Sequence, residues 1–216
     1  MAWQRQSKVN TTKGNMKLKV TLTLIEEMLG TKAANPEVFA TFIASKHPSG
    51  TPQRDEMEQP DNKEEAGTTI FHQQDGVRGI YDYQVKGFFK DACSATNRFD
   101  KEYRNGMEKL PAFKSKIDGC VFVTPRFIPF VSKGKGVIES GICERPLRAE
   151  TAQGPRVTVS RSETIPAGTR LEFTIDVLSK ELVPYVELWL TYGKLRGLGQ
   201  WRNSGKGRFN AVVVDC

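Results

Sequence analysis

Between Gly193 and Phe209 the chain runs Gly193-Lys194-Leu195-Arg196-Gly197-Leu198-Gly199-Gln200-Trp201-Arg202-Asn203-Ser204-Gly205-Lys206-Gly207-Arg208-Phe209. The stretch holds five glycines, five cations, one tryptophan and no carboxylate. Glycine lets backbone amides approach a ligand and adopts positive φ. Lysine and arginine contact phosphates, and tryptophan offers a flat face on which a base stacks. The candidate nucleic-acid-binding residues here are Lys194, Arg196, Gly197, Gly199, Trp201, Arg202, Ser204, Lys206 and Arg208. A second mixture of aromatic and basic residues, Phe88-Phe89-Lys90, adds Lys90 and assigns the two phenylalanines to the core. A third places Arg126, Phe127 and Phe130 among Pro125 and Pro129, followed by Lys133-Gly134-Lys135-Gly136, which reads as a hairpin turn.

Other chemistries lack their residues. A nucleotide-triphosphate loop needs G-x-x-x-x-G-K-[ST] between a strand and a helix. Here five residues separate Gly199 from Gly205, Gly207 follows Lys206 where a hydroxyl is required, and the flanking elements are reversed. No G-x-S-x-G is present. His72, beside Ile70 and Phe71, reads as a strand residue, and His47, before Pro48, as a solvated one. The carboxylates of residues 54–65 have no ligand spacing and read as a solvated run. No catalytic residue, metal site or cofactor is assigned.

The elements that must hold the loop show in the periodicity. Leu18, Val20, Leu22 and Leu24 alternate with Lys17, Lys19, Thr21 and Thr23, a half-buried strand. Asn35 and Pro36 start a short helix with Val38, Phe39, Phe42 and Ile43 on one face. Val85, Phe88, Phe89, Ala92, Cys93 and Thr96 recur at helical spacing. Residues 98–118 are charged and loop-like. Cys120–Val123 and Val137–Cys143 read as strands, and Val157 and Val159 alternate with Thr158 and Ser160. Leu171, Phe173, Ile175 and Val177 alternate again. Leu182, Tyr185, Val186, Trp189 and Leu190 form a helical face, with Pro184 near its start. Phe209–Val214 closes the chain as a central strand. The mixture predicts an α+β fold, an antiparallel sheet with helices on one face, as a single domain over 1–216.

Bulk properties narrow the partner. The formal net charge is +7 over 216 residues. Residues 54–65 carry six acids and two bases, so the remainder carries +11. A basic body with one acidic segment favours a polyanion. Residues 47–76, with three prolines and that acidic run, read as a long, flexible insertion. Residues 1–15 read as a basic arm. Cys93, Cys120, Cys143 and Cys216 are widely spaced, which predicts reduced, buried thiols. No apolar run approaches a membrane span, and the N-terminus lacks an apolar signal core. Cytoplasmic location without a membrane partner is the expectation.

Three segments resemble the RAMP superfamily, the RNA-binding subunits of CRISPR effector complexes in antiviral defence, and their backbone subunits most. They are Leu22–Thr31, a strand running into a glycine turn; Ile80-Tyr-Asp-Tyr-Gln-Val-Lys86-Gly87-Phe-Phe-Lys90, similar to the family's lysine-glycine motif; and Ile165–Phe173 followed by a helix and the glycine-rich loop. The resemblance implies a modified ferredoxin-like (RRM-like) fold with insertions. It places Lys86 and the loop near guide-RNA phosphates and makes the 47–76 insertion a thumb-like projection. Tyr81-Asp-Tyr83-Gln84 departs from the family's small and serine residues, and Trp201 is bulky for such a loop. Some members cleave RNA with an acidic residue after the first strand. None of Asp55, Glu56, Glu58 or Asp61 matches it, so catalysis is not carried over. The chain is short for a complete effector backbone subunit, which fits a stand-alone phage or mobile-element relative.

The expected function is binding of guide or single-stranded RNA by its backbone, without strong sequence preference, as a homo-oligomer along the strand or with other effector subunits. Two alternatives stay open: an RNA endonuclease of the same fold, and a non-enzymatic structural or protein-interaction subunit.

Overall fold

The alternation that begins at Met16 builds a strand with two unlike faces. β1 (Met16–Leu24) buries Leu18, Val20, Leu22 and Leu24 and leaves Lys17 and Lys19 in solvent. Burying each such apolar side chain is worth roughly 1.5–3 kcal/mol, so this face fixes the register. The computed structural model describes residues 16–35, 68–132, 138–151 and 154–215. The expected basic arm, the helix starting at Pro36, the acidic run, Lys133–Gly136 and Cys216 lie outside them.

β1 pairs antiparallel on both sides, with β11 (Arg170–Val177) and β12 (Phe209–Asp215). Val20 stands opposite Phe173 on one side and Val213 on the other. Beyond β11 lie β7 (Val121–Thr124) and β8 (Phe127–Val131), which share its far side, then β6 (Val77–Tyr81) and β5 (His72–Gln74). Every pairing in this sheet is antiparallel. A second sheet centres on β10 (Gly154–Ile165), which pairs with β9 (Gly141–Thr151), β2 (Met28–Leu29) and, in parallel, β4 (Thr68–Ile70); β3 (Lys32–Ala33) adds to β4.

Among the described residues stand three α-helices: α1 (Asp82–Thr96), α2 (Phe113–Cys120) and α3 (Val183–Arg196). α1 starts where the Gln84 side chain accepts the Tyr81 N–H at 2.9 Å. Its buried residues are Val85, Phe88, Phe89, Ala92, Cys93 and Thr96, the predicted set. Phe89 packs on Trp189 of α3, and Phe88 meets Phe209 of β12 edge-on. The core lies between these helices and the Leu18–Val20–Leu22 face of the sheet. The α+β expectation, an antiparallel sheet with helices against one face, is what the structure shows.

Five expectations change. Among the described residues the last strand is not central: β12 ends their strand order, with Val212 61% and Val214 56% exposed. A continuous apolar run suits a strand buried on both faces, but only Phe209 of β12 is fully buried. Residues 113–120, expected as loop, form α2; Phe113, Ile117 and Cys120 carry a helical spacing that the interspersed charges obscured. Residues 68–76, assigned to the insertion, contain β4 and β5, with Phe71 buried between them. The strand expected from Val137 begins at Gly141. Cys93 is buried as expected, but Cys120 and Cys143 are only half-buried, all three as free thiols.

Candidate nucleic-acid interface

A helix, two short turns and a strand start hold the glycine loop. α3 follows a 3₁₀ turn at Lys180–Leu182, has Pro184 in its first turn, and ends at Gly197, whose φ is +75°. The loop then closes on itself. Leu198 N–H donates to the Gly207 carbonyl at 2.9 Å, and Gly207 N–H to that of Glu27 at 2.8 Å. A 3₁₀ turn, Arg202–Ser204, lies between, with Ser204 N–H on the Trp201 carbonyl at 3.0 Å. Leu198 is buried and anchors the loop to the core.

The glycines serve this closure. A Cβ on Gly207 would lie 1.9 Å from the Leu198 carbonyl oxygen, one on Gly197 2.5 Å from that of Lys206, and one on Gly199 2.8 Å from that of Leu29. The expectation that they bare amides to a ligand is therefore revised for these three: the chain's own backbone occupies the space. Gly205 meets only the Arg208 side chain, at 3.4 Å.

The cations are also engaged. Arg196 Nε and Arg202 Nη1 converge on the Asp91 carboxylate of α1, at 2.8 and 2.9 Å. Arg196 Nη1 reaches Asn203 Oδ1 at 2.7 Å. Lys206 pairs with Glu27, and Arg208 pairs with Glu26 at 3.1 Å. Lys194 is exposed on the last turn of α3, and Ser204 is exposed on the loop. The structure thus gathers Lys194, Arg196, Arg202, Lys206 and Arg208 on one loop, as predicted, but ties four of them to three carboxylates. Lys86 and Lys90 lie elsewhere: Lys90 pairs with Asp118 of α2 at 2.7 Å, and Lys86 Nζ lies 3.4 Å from the Asp118 main-chain carbonyl and 4.7 Å from the Phe122 ring centre.

One residue that sequence reasoning missed is Arg145 of β9. Its guanidinium stacks 5.1 Å from the Trp201 ring and donates from Nη2 to Gln200 Oε1 at 2.9 Å. Its Nε and Nη1 are buried without a hydrogen-bond partner. Arg145 and Gln200 are 55 residues apart, and no spacing rule joins them. Trp201 itself is held in the left-handed region at φ +53° with 41% of its surface exposed. That backbone costs roughly 1–2 kcal/mol for a bulky residue and persists where the surroundings impose it. Asp91, Glu26 and Glu27 were missed too; the only signal for Asp91 was its place off the apolar face of its helix.

The clamp at Asp91 titrates. Burial alone would raise its pKa, but the Arg196 hydrogen bond and the Arg202 and Arg196 charges outweigh burial and hold the carboxyl below its ordinary range. A pKa lowered by folding stabilises the fold fully above the unfolded carboxyl value of about 4 and stops doing so as pH falls through the folded value. Thermal melting between about pH 5 and pH 2 is expected to lose less stability in Asp91→Asn than in the wild type, with the variant already weaker at neutral pH. Parallel acid limbs would refute the clamp.

Among the described residues, no three His, Cys, Asp or Glu side chains cluster as metal ligands, and no helix is long and apolar enough to cross a membrane. His72 lies in β5, as expected, with its pKa lowered by burial and then by the Lys32 charge.

The architecture is similar to that of Cmr6 from Pyrococcus furiosus, with a TM-score of 0.51 and 10% identity over 93% of this chain and 100% of that one. A Type III-B Cmr-beta structure bound to cognate target RNA aligns with a TM-score of 0.49 and 14% identity over 94% of this chain, which spans 61% of that chain. No protein-family model matches the sequence, and neither does any curated protein. The likeness is one of fold.

Proposed function

We propose that this chain is a RAMP-type RNA-binding subunit that grips single-stranded or guide RNA by its backbone, with little sequence preference. The observation that carries this reading is the charge surplus around the loop. Arg196, Arg202, Lys206 and Arg208 pair with Glu26, Glu27 and Asp91, and with Lys194 exposed at the end of α3 and Arg145 stacked on Trp201 these residues make six cations to three carboxylates. The ion pairs hold the loop's shape, the three surplus charges attract phosphates, and the half-exposed Trp201 offers a stacking face. The Cmr6-like fold supports the reading. Lys86 and Lys90 extend the basic surface along α1, with Lys90 alone ion-paired to Asp118 and Lys86 on the Asp118 main-chain carbonyl.

Assembly along the strand, with copies of itself or with other effector subunits, is part of the proposal, and the exposed Val212 side chain of β12 gives it a candidate apolar contact. Nothing in the geometry favours an endonuclease over a binding subunit.

The test is fluorescence anisotropy of a labelled single-stranded RNA across a salt series. Three surplus charges predict log K falling against log salt with a slope of about −2, since a single strand loses about 0.7 per neutralised phosphate. Lys194→Gln should flatten that slope by a little under one. Trp201→Leu should weaken binding by about 1–3 kcal/mol at every salt concentration. Salt-independent binding, or none, defeats the proposal.

A further inference from the structure

The sheet carries a second aromatic site at the end of the strand order opposite β12. Tyr81 closes β6, and its cross-strand partner is Phe127 of β8. Their rings meet edge to face, with centroids 5.5 Å apart. Tyr83, in the first turn of α1 and 52% exposed, stacks on Tyr81 at 5.5 Å with the planes only 14° apart. His72 packs edge-on to Tyr81 at 4.9 Å, and its Nε2 lies 3.4 Å from the Tyr83 hydroxyl. Gly79 makes the arrangement possible: a Cβ there would stand 2.7 Å from the Phe127 ring and 2.4 Å from the Ile128 carbonyl oxygen. Beside these rings opens a cleft of about 540 Å³ walled by Tyr81, Phe127 and Pro129, with Gln74, Asp75 and Arg126 at its rim. The volume lies in the range of small-molecule sites.

The chemistry of the lining is that of a nucleotide. Flat aromatic and proline surfaces suit the face of a base. The Gln74 amide donates and accepts, and the Asp75 carboxylate accepts, which together match the polar edge of a base. Arg126 is exposed, with no ion-pair partner among the described residues, and suits a phosphate. A proline-rich peptide would use the rings but bring no anion for Arg126.

We infer that this cleft receives one unpaired base of a bound RNA strand, with the adjoining phosphate on Arg126. The inference rests on the RNA-binding reading for the class of ligand, but uses none of the loop's residues. It is tested on the full chain by near-ultraviolet cross-linking to an oligouridine containing 4-thiouridine, followed by tryptic mapping. Cross-links are expected on the peptides Gly79–Lys86 or Phe127–Lys133 as well as on the loop peptide Gly197–Arg202. Arg126→Gln, in which the second cleft peptide becomes Ile117–Lys133, and Gln74→Ala, each at an exposed position, should lower the yield on the cleft peptides, relative to the loop peptide, by roughly fivefold each, as loss of one hydrogen bond implies. Cross-links confined to the loop peptide overturn this inference and leave the proposed function standing. No cross-link anywhere overturns both. Cleft yields unmoved by either substitution but abolished by a polyproline peptide assign the cleft to a protein partner and overturn the inference.

Discussion

Gly207→Ala is expected to unfold the glycine loop, at a cost of roughly 3 kcal/mol or more from backbone strain and overpacking combined. Two effects act together. At φ +71° an L-residue is strained, by about 1–2 kcal/mol. The added methyl would also sit 1.9 Å from the Leu198 carbonyl oxygen, a backbone atom that no rotamer change can move. That carbonyl belongs to the residue whose N–H closes the loop on Gly207. Relief of the clash therefore breaks the closure and withdraws Leu198 from the core. Gly205→Ala separates the two effects. Its φ of +82° carries the same strain, but its nearest neighbour is the Arg208 side chain at 3.4 Å, so only the strain of about 1–2 kcal/mol is expected. Urea denaturation of the two variants decides the matter. Equal midpoints would show that the loop does not close as described.

The second large effect concerns helix glycines, where propensity and packing oppose each other. Glycine inside a helix costs roughly 0.5–1 kcal/mol relative to alanine. Gly87→Ala, at an exposed position with no atom within 4 Å of the new Cβ, should recover that amount and raise the melting temperature. Gly193→Ala should do the reverse. Its Cβ would fall 2.1 Å from the Phe209 ring, which is fully buried at the start of β12. Overpacking of this kind costs roughly 1–3 kcal/mol, occasionally more, and outweighs the helix gain. Phe209→Leu in the Gly193→Ala background should restore part of the loss, because the clash is with the ring. A stabilised Gly193→Ala protein would mean that α3 and β12 are not in this contact.

Local periodicity was enough to find the elements that carry the loop. The alternation of Leu18–Leu24 and Leu171–Val177 and the helical spacing of Val85–Thr96 each depend on one face being buried, and that requirement is written in neighbouring residues. The clustering of glycines and cations at 193–209 was legible for the same reason: they are close in the chain. α2 was missed because its short apolar face is interrupted by lysines, and β12 was misplaced because an apolar run says nothing about how many neighbours a strand has. Strand order is decided by which edges remain open after the rest has folded.

What only the tertiary structure decided is the state of the charges. Asp91, Glu26, Glu27 and Arg145 come from α1, the turn after β1 and β9, and no local rule brings them to Trp201 and the loop arginines. The sequence determined that a basic, glycine-rich loop follows a helix and precedes a strand. The fold determined which of those cations are neutralised, and which glycines are spent on the chain's own backbone. The physical reason is range. Propensity and periodicity act over a few residues, whereas ion pairs and steric contacts act between atoms that approach within a few ångströms however far apart they lie in the chain.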